Sequence, residues 1–196
     1  FISRYLLKSF SPREVIVGDD FRFGQNRIGT IALFKNSGKK NGFKVVSLKT
    51  KERGYKKISS TVARDYIAVG DLKKAAAILG RPVSLLGRVV AGDKRGKTLG
   101  YPTANIIPTG EILPPQGVYC VRVHFYEKIF CGMANVGVRP SFHKEDRLNV
   151  EIHIFDFQEN LYGKEIVVEF IHKIRNELYF PSSQDLVAQL KKDEAF

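Results

Sequence analysis

The second half of the chain contains short strand-like segments with no helical pattern between them. Candidate strands cover residues 83–91, 103–107, 117–125, 128–136, 149–155 and 165–173. Short, mostly antiparallel strands joined by turns that contain Gly or Pro are typical of a small closed barrel. The pattern therefore predicts a small six-stranded antiparallel β-barrel, and the apolar spacing over residues 184–192 predicts a C-terminal helix that covers it.

Residues 1–79 differ from this half, since they alternate helical and strand patterns. Helical patterns lie near residues 1–10, 28–37, 60–69 and 72–79, and strand patterns lie at residues 15–17 and 43–48. Such alternation predicts a parallel α/β sheet. Gly80 and Pro82 mark the change of pattern. We therefore expect two domains, residues 1–79 and residues 80–196.

Composition and charge limit the classes of partner. No apolar run approaches the length of about 18 residues that a membrane span requires, so we expect no membrane partner. Of the net charge of +12, residues 1–79 carry +11 and residues 80–196 carry +1. Because the cations are scattered and no nucleic-acid-binding motif is present, we expect no nucleic-acid partner. Two cysteines are too few for a disulfide framework, which favours a cytoplasmic protein.

A glycine-rich basic loop follows the first predicted barrel strand. Gly92, Gly96 and Gly100 would let backbone N–H groups approach an oxyanion. Lys94 and Arg95 would supply countercharge. The loop therefore predicts a phosphate site.

This loop comes close to the Walker A pattern but does not match it. Gly92 and Gly96 are separated by three residues, where Walker A needs four. That pattern also needs a helix opened by its Lys-Thr pair. We expect none at Lys97 and Thr98, because Pro102 follows almost at once. The sequence therefore excludes a P-loop NTPase.

Two oxygen-bearing side chains follow the loop at a spacing of two. Thr103 and Asn105 would lie on one face of an extended segment and point toward the same ligand. Oxygen donors so placed suit Mg²⁺ and phosphate. The alternative, which the spacing leaves open, is a hairpin loop in which both side chains satisfy nearby backbone groups.

The strand over residues 149–155 has one apolar face and one polar face. Its even-numbered residues are apolar and are expected in the core, which leaves Glu151 on the opposite face, together with His153. Glu151 is therefore a candidate general base facing a cleft, and a solvated glutamate on the barrel exterior is the alternative. We expect His153 to be structural.

Three hydroxyl residues precede a predicted helix in the first half. Ser59, Ser60 and Thr61 stand where the first N–H groups of the helix are unpaired. Such a position suits either a phosphate or simple capping of the helix, and the residues alone leave both readings open.

Short motifs occur in a fixed order along essentially the whole chain. They are Gly18-Asp19-Asp20-Phe21-Arg22-Phe23-Gly24, Ile58-Ser59-Ser60-Thr61 with Arg64, Leu79-Gly80-Arg81-Pro82, Pro102-Thr103-Ala104-Asn105, Gly137-Val138-Arg139-Pro140, Glu151-Ile152-His153, Leu161-Tyr162-Gly163 and Arg175-Asn176-Glu177. In this order they resemble the riboflavin kinases, and more closely the bacterial bifunctional riboflavin kinase/FMN adenylyltransferases, also called FAD synthetases.

For the first domain, the resemblance implies the C-terminal portion of a Rossmann-like α/β nucleotidyltransferase that adenylylates FMN. The family opens this domain with a His-x-Gly-His motif, and none of the four histidines of this chain lies in such a motif. We therefore expect that a front segment of the domain is missing from this sequence. The residues that the resemblance assigns to the remaining site are Asp20, Phe21, Arg22, Gly24, Ser59, Ser60, Thr61 and Arg64.

For the second domain, the resemblance implies a riboflavin kinase, in which MgATP phosphorylates the 5′-hydroxyl of riboflavin to give FMN and ADP. Glu151 aligns with the family's general base, and Thr103 and Asn105 would hold Mg²⁺ and the phosphates. A non-catalytic flavin- or nucleotide-binding module is the alternative, and the oligomeric state stays open. The residues that the resemblance places around the flavin are Arg175, Glu177, Leu178 and Phe180.

Overall fold

A computed structural model describes residues 1–49, 52–53, 56–92, 95–108, 112–139 and 147–196. The chain forms two compact units, residues 1–58 and residues 59–196. In the described ranges, no helix is long and apolar enough to cross a membrane.

The first unit contains a parallel pair of strands joined through a helix. Strands β1 and β2 pair in parallel, and α2 lies between them in the chain. Its elements are a π-helical segment Ile2–Leu7, α1 (Lys8–Phe10), β1 (Glu14–Gly18), a 3₁₀ turn Gln25–Arg27, α2 (Ile31–Asn41), β2 (Lys44–Leu48), β3 (Glu52–Arg53) and β4 (Lys56–Lys57).

Helix α2 begins three residues later than the predicted start at residue 28. Thr30 is the cap, since its Oγ1 accepts a hydrogen bond of 3.3 Å from the backbone N–H of Leu33. The helix also extends beyond the predicted end at residue 37, and it stops at Gly42, whose φ of +74° suits glycine.

The first unit is held together by aromatic rings. Phe34 is fully buried, and its ring centroid lies 5.6 Å from that of Phe21, 5.2 Å from that of Phe23 and 5.9 Å from that of Phe43. Aromatic pairs at such distances add to the stabilisation from burial. Phe21, which the resemblance places in a nucleotide site, therefore also has a packing role.

The second unit is a closed barrel, as predicted. The strand order around it is β10–β5–β6–β9–β8–β7, and every neighbouring pair is antiparallel. Its elements are α3 (Ser60–Ala68), α4 (Leu72–Leu79), β5 (Val83–Val90), α5 (Arg95–Thr98), β6 (Ala104–Ile106), β7 (Gly117–Phe125), β8 (Lys128–Arg139), β9 (Arg147–Ile154), β10 (Glu165–Arg175) and α6 (Ser183–Glu194).

Alternate residues of the barrel strands fill its interior. Ile106, Val121, Ile152 and Val168 are all fully buried in one hydrophobic cluster. Helices α3 and α4 contribute to the same cluster, for example through Ala75. Compactness groups α3 and α4 with the barrel. The expected domain boundary between residues 79 and 80 stays a prediction.

Two adjacent isoleucines provide a matched test of this core. Ile106 is 0% exposed and Ile107 is 41% exposed. Ile106→Ala should lower the free energy of unfolding of the barrel by about 2–5 kcal/mol, because it leaves a cavity. Ile107→Ala should change it by about 0.5 kcal/mol or less. Urea denaturation of both variants measures the difference, and equal losses would contradict the burial pattern.

Candidate active site

One residue from each barrel strand lies in a continuous cross-strand row. Paired residues in neighbouring strands point to the same face of a sheet. This face is opposite to the one that carries Ile106 and Ile152, so the row lies on the outside of the barrel. In strand order the row is Val90, Asn105, Glu151, Asn135, Val118 and Arg175.

A cavity of about 310 Å³ lies over four residues of this row, Glu151, Asn135, Val118 and Arg175, and the other two, Val90 and Asn105, are not part of its lining. Polar residues, among them Glu151 and Thr103, line it together with apolar side chains. The lining residues are Gly96, Leu99, Tyr101, Thr103, Val118, Met133, Ala134, Asn135, Glu151, His153, Arg175, Glu177, Leu178, Phe180, Leu186 and Leu190. The structure thus brings together seven of the predicted kinase residues: Gly96, Thr103, Glu151, Arg175, Glu177, Leu178 and Phe180.

Strand β9 presents Glu151 as the alternation predicts. Val150 and Ile152 on either side of Glu151 are fully buried, and Glu151 itself is exposed on the cavity face. The sequence left open whether this carboxylate faces a cleft or bulk solvent, and the structure places it in the cavity wall.

A buried asparagine pair stands beside Glu151. Asn149 donates through Nδ2 to Oδ1 of Asn105 at 2.9 Å and to Oε1 of Glu151 at 3.1 Å. Both asparagines are 5% exposed. Sequence analysis found Asn105 but missed Asn149, although the spacing of two residues from Glu151 places both on one face of β9.

The predicted phosphate loop is more compact than expected. The backbone N–H groups of Leu99 and Tyr101 donate to the carbonyl of Gly96 at 3.1 and 2.9 Å. A Cβ on Gly96 would clash with the carbonyl oxygen of Tyr101, so only glycine fits there. Gly100 has a φ of +84°, which also favours glycine.

The remaining loop residues differ in what the structure says of them. A Cβ on Gly92 would clash with the side-chain amide of Asn105, so the absent side chain lets the loop pass over Asn105. Lys94 lies outside the described residues, and Arg95 is described only as the first residue of α5.

Helix α5 corrects one sequence expectation. It spans Arg95–Thr98 and therefore includes the Lys97-Thr98 pair, where no helix was expected, although this pair ends the helical turn and does not open it. The tight hydrogen bonds to Gly96 close this single turn before Pro102 is reached. The glycine spacing still differs from Walker A, so the exclusion of a P-loop holds.

Arg175, which the resemblance places around the flavin, is the last residue of β10. Its guanidinium binds the carboxylate of Asp193 with donor–acceptor distances of 2.7 to 3.0 Å, and Gln189 donates to the same carboxylate at 2.8 Å. The guanidinium carbon also lies 5.7 Å from the ring centroid of Phe180. Arg175 thus ties the last turn of α6 to the barrel.

Glu177 lines the same cavity as α6. Its Oε1 accepts a hydrogen bond of 3.1 Å from Nδ2 of Asn135. A Cβ on Gly137 would clash with the Glu177 carboxylate, so the absence of a side chain at Gly137 leaves room for that carboxylate. The Gly137-Val138-Arg139 motif therefore shapes the cavity wall through its first residue.

His153 supports the neighbouring wall, in agreement with the structural role expected. Its Nδ1 lies 2.8 Å from the carbonyl oxygen of Pro102, and its ring packs edge-to-face on Tyr101 at 5.0 Å. The hydroxyl of Tyr101 donates to Glu194 at 3.2 Å. Burial raises the pKa of Tyr101 above its ordinary value, and the Glu194 carboxylate raises that pKa further.

A second cavity of about 400 Å³ shares Thr103 with the first. Val89, Phe157 and Leu161 provide apolar lining, and Lys97 provides a positive charge. The sequence analysis did not assign this cavity. The sequence did contain a motif that could have indicated this cavity, since Leu161 and Tyr162 of Leu161-Tyr162-Gly163 both line it.

The residues assigned to an adenylyltransferase site occur in both units. In the first unit, Arg22 donates to the carbonyl of Phe21 at 3.0 Å, and Gly24 has a φ of +79°. In the second unit, Oγ of Ser59 accepts from the N–H of Val62 at 3.3 Å and caps α3. Capping is thus observed, and a phosphate contact stays a prediction. The other assigned residues are Asp20, Ser60, Thr61 and Arg64.

Two family models match the chain. The riboflavin kinase model matches residues 79–196, and the FAD synthetase model matches residues 1–62. Because the first match covers more than half of the chain and includes the whole barrel, the chain belongs to the riboflavin kinase family.

Similar proteins extend the match to the full chain. The bifunctional riboflavin kinase/FMN adenylyltransferase of Haemophilus influenzae is 42% identical over 98% of this chain, and its counterpart from Escherichia coli is 42% identical over 99%. The chain spans 63% and 62% of their respective lengths. A solved structure from Streptococcus pneumoniae, described as a macrolide-efflux protein, is 35% identical, with a TM-score of 0.80 over 100% of this chain and 62% of that chain.

The buried ion pair at the end of α6 generates a stability prediction. The Asp193 side chain is 2% exposed, so Asp193→Ala would leave the Arg175 guanidinium without its partner. The variant should lose about 3–5 kcal/mol of unfolding free energy. Glu165→Ala, which removes the exposed partner of Arg88, should lose about 1 kcal/mol or less. Comparable losses in urea denaturation would contradict the distinction.

Proposed function

We propose that this protein is a riboflavin kinase, which transfers the γ-phosphoryl group of ATP to the 5′-hydroxyl of riboflavin and yields FMN and ADP. The observation that carries the proposal is that Glu151 and Thr103 share the wall of a cavity that is otherwise largely apolar. A second cavity also has Thr103 in its lining. Family membership and the names of the relatives support the same reaction.

Riboflavin would occupy the first cavity. Its isoalloxazine ring is large, flat and mostly apolar, which suits a wall that contains Leu178, Phe180 and Leu190. Glu177, held by Asn135, would accept a hydrogen bond from the ring. Arg175 lines this cavity while its guanidinium binds Asp193, so it would contribute by holding α6 in place.

ATP would occupy the second cavity. Phe157 and Leu161 offer an apolar surface to the adenine base, and Lys97 offers a cation to the phosphates. Since Thr103 lines both cavities, the γ-phosphate would meet the flavin hydroxyl near this residue. The loop of Gly92, Lys94, Arg95, Gly96 and Gly100 would cover the phosphates with N–H groups and positive charge.

In the chemical step, Glu151 would accept the proton of the riboflavin 5′-hydroxyl as that oxygen bonds to the γ-phosphorus. The bond from the γ-phosphorus to the bridging oxygen breaks, and ADP keeps that electron pair. Phosphoryl transfer depends mainly on positioning and charge neutralisation, so one base, a metal and a donor-lined loop are sufficient.

The donor set near Thr103 fits Mg²⁺ held together with ATP. Thr103 and Asn105 offer neutral oxygen atoms, and Mg²⁺ commonly takes few protein ligands and several phosphate oxygens. Within the part of the chain that the structure describes, no group of three or more His, Cys, Asp or Glu side chains could hold a metal. Bound to Thr103, Asn105 and ATP, a Mg²⁺ ion would neutralise phosphate charge.

The first unit would belong to a Rossmann-like FMN adenylyltransferase domain. The parallel β1–β2 pair with α2 between its strands supports this assignment, as does the FAD synthetase match over residues 1–62. The whole protein would therefore be bifunctional and act in the cytoplasm on riboflavin, FMN and ATP.

Glu151→Gln tests the proposed base. The glutamine keeps an oxygen that can accept from Asn149, so the local geometry should persist. The turnover number for FMN formation should fall about 10²-fold or more, while riboflavin and MgADP binding stay within a few fold of wild type. If the variant retains wild-type turnover, Glu151 is not the base. If the wild-type protein binds flavin but forms no FMN, the result supports the alternative of a non-catalytic flavin-binding module.

Thr103→Ala tests the proposed phosphate and metal contact. Removal of the hydroxyl should raise KM for MgATP about tenfold or more, because an oxygen donor to the ion and phosphates is lost. KM for riboflavin serves as the internal control and should change much less. Equal losses for both substrates, together with a lower melting temperature, would show that the hydroxyl is structural.

A further inference from the structure

Asn149 is a polar residue beside the proposed base. It has no role in the chemical step proposed above. It lies on β9 two residues before Glu151 and points to the same face. An asparagine side-chain nitrogen carries two hydrogens. Among the residues that the structure describes, the Asn149 nitrogen lies within hydrogen-bond distance of two acceptors, Oε1 of Glu151 and Oδ1 of Asn105. One side chain thus holds both the proposed base and a proposed cation ligand.

We infer that Asn149 is a positioning residue for phosphoryl transfer, which fixes Glu151 and Asn105 relative to each other. This inference rests on the proposed function. Asn149 would touch neither riboflavin nor ATP, and it would act only through its two partners.

The chemistry of the three side chains determines how they are oriented. A carboxylate only accepts hydrogen bonds, so Asn149 must turn its nitrogen, and not its oxygen, toward Glu151. The same nitrogen then requires an acceptor from Asn105, which must present Oδ1. This leaves the Asn105 nitrogen against Gly92, where a side chain would clash with it. The oxygen of Asn105 is therefore directed toward Asn149 on β9.

Folding stability does not account for an asparagine at position 149. Its Oδ1 is buried and has no hydrogen-bond partner among the residues that the structure describes. A buried polar atom without a partner is destabilising. The benefit of the amide must then lie in the two acceptors that its nitrogen holds.

Such a bridge matters because the reaction needs the base and the phosphates at a defined separation. Glu151 and Asn105 are opposite each other on β9 and β6, so their backbones are already fixed by the strand register. Their side chains can still rotate, and a displacement of about 1 Å can cost about 10²-fold in rate. Asn149 removes that freedom from both side chains at once.

Asn149→Leu tests the inference, since leucine has a similar shape and no donor. Its turnover number should fall about 10- to 100-fold, as is typical for loss of a residue that orients ligands. KM for riboflavin should stay within about threefold, and the Kd for MgADP by calorimetry should rise about tenfold. Asn149→Gln keeps the two-hydrogen donor and should recover most of the lost turnover.

Asn41→Leu is the matched control. The Asn41 nitrogen also contacts two oxygens, the carbonyl and the hydroxyl of Ser37, but it lies on α2 of the first unit. This variant should retain wild-type turnover and MgADP affinity. Agreement of all these results would support the positioning role.

Three outcomes would overturn the inference. Turnover of Asn149→Leu within threefold of wild type would show that the bridge is dispensable. Equal losses in Asn149→Leu and Asn149→Gln, with equal decreases in melting temperature, would indicate packing alone. A wild-type protein that does not phosphorylate riboflavin would refute the proposed function and this inference with it, whereas an active wild type with an unaffected Asn149→Leu would refute the inference alone.

Discussion

The alternation of side chains along β9 is the constraint on which the site depends. Val150, Ile152 and Ile154 are buried in the barrel core, and this burial fixes how the strand is rotated. Asn149 and Glu151 are then forced onto the outer face, because successive side chains point to opposite sides of a strand. A register shift by one residue would bury the carboxylate and expose the isoleucines, so core stability and the placement of Glu151 are the same requirement.

On the outer face, α6 and the connection before it form one wall of the cavity. Leu186 and Leu190 of α6 line the cavity, and the last turn of α6 is held at two points. Asp193 binds Arg175 at the end of β10, and Glu194 accepts from Tyr101 beyond the glycine loop. Two successive residues of one helix therefore connect the cavity wall at Arg175 to the cavity wall at Tyr101.

Much of this architecture could be predicted from local patterns. The six strands and the polar face of β9 were expected from the pattern, and the barrel is observed. Seven of the residues that line the first cavity were named beforehand, four of them through the family resemblance alone. The single turn of α5 was not expected, because Pro102 lies too close in the chain for a longer helix. The turn is closed instead by hydrogen bonds from Leu99 and Tyr101 to the carbonyl of Gly96. Asn149 was missed because its partner Asn105 is 44 residues away in the chain.

The sequence by itself determined that the barrel strands are short and two-faced and that Glu151 lies on the polar face, because a period of two is a local property of a strand. Only the tertiary structure decided which residues stand beside that carboxylate. Register places Asn105 and Asn135 directly opposite Glu151 on the two neighbouring strands. Register depends on the closure of all six strands at once, so no local pattern contains it.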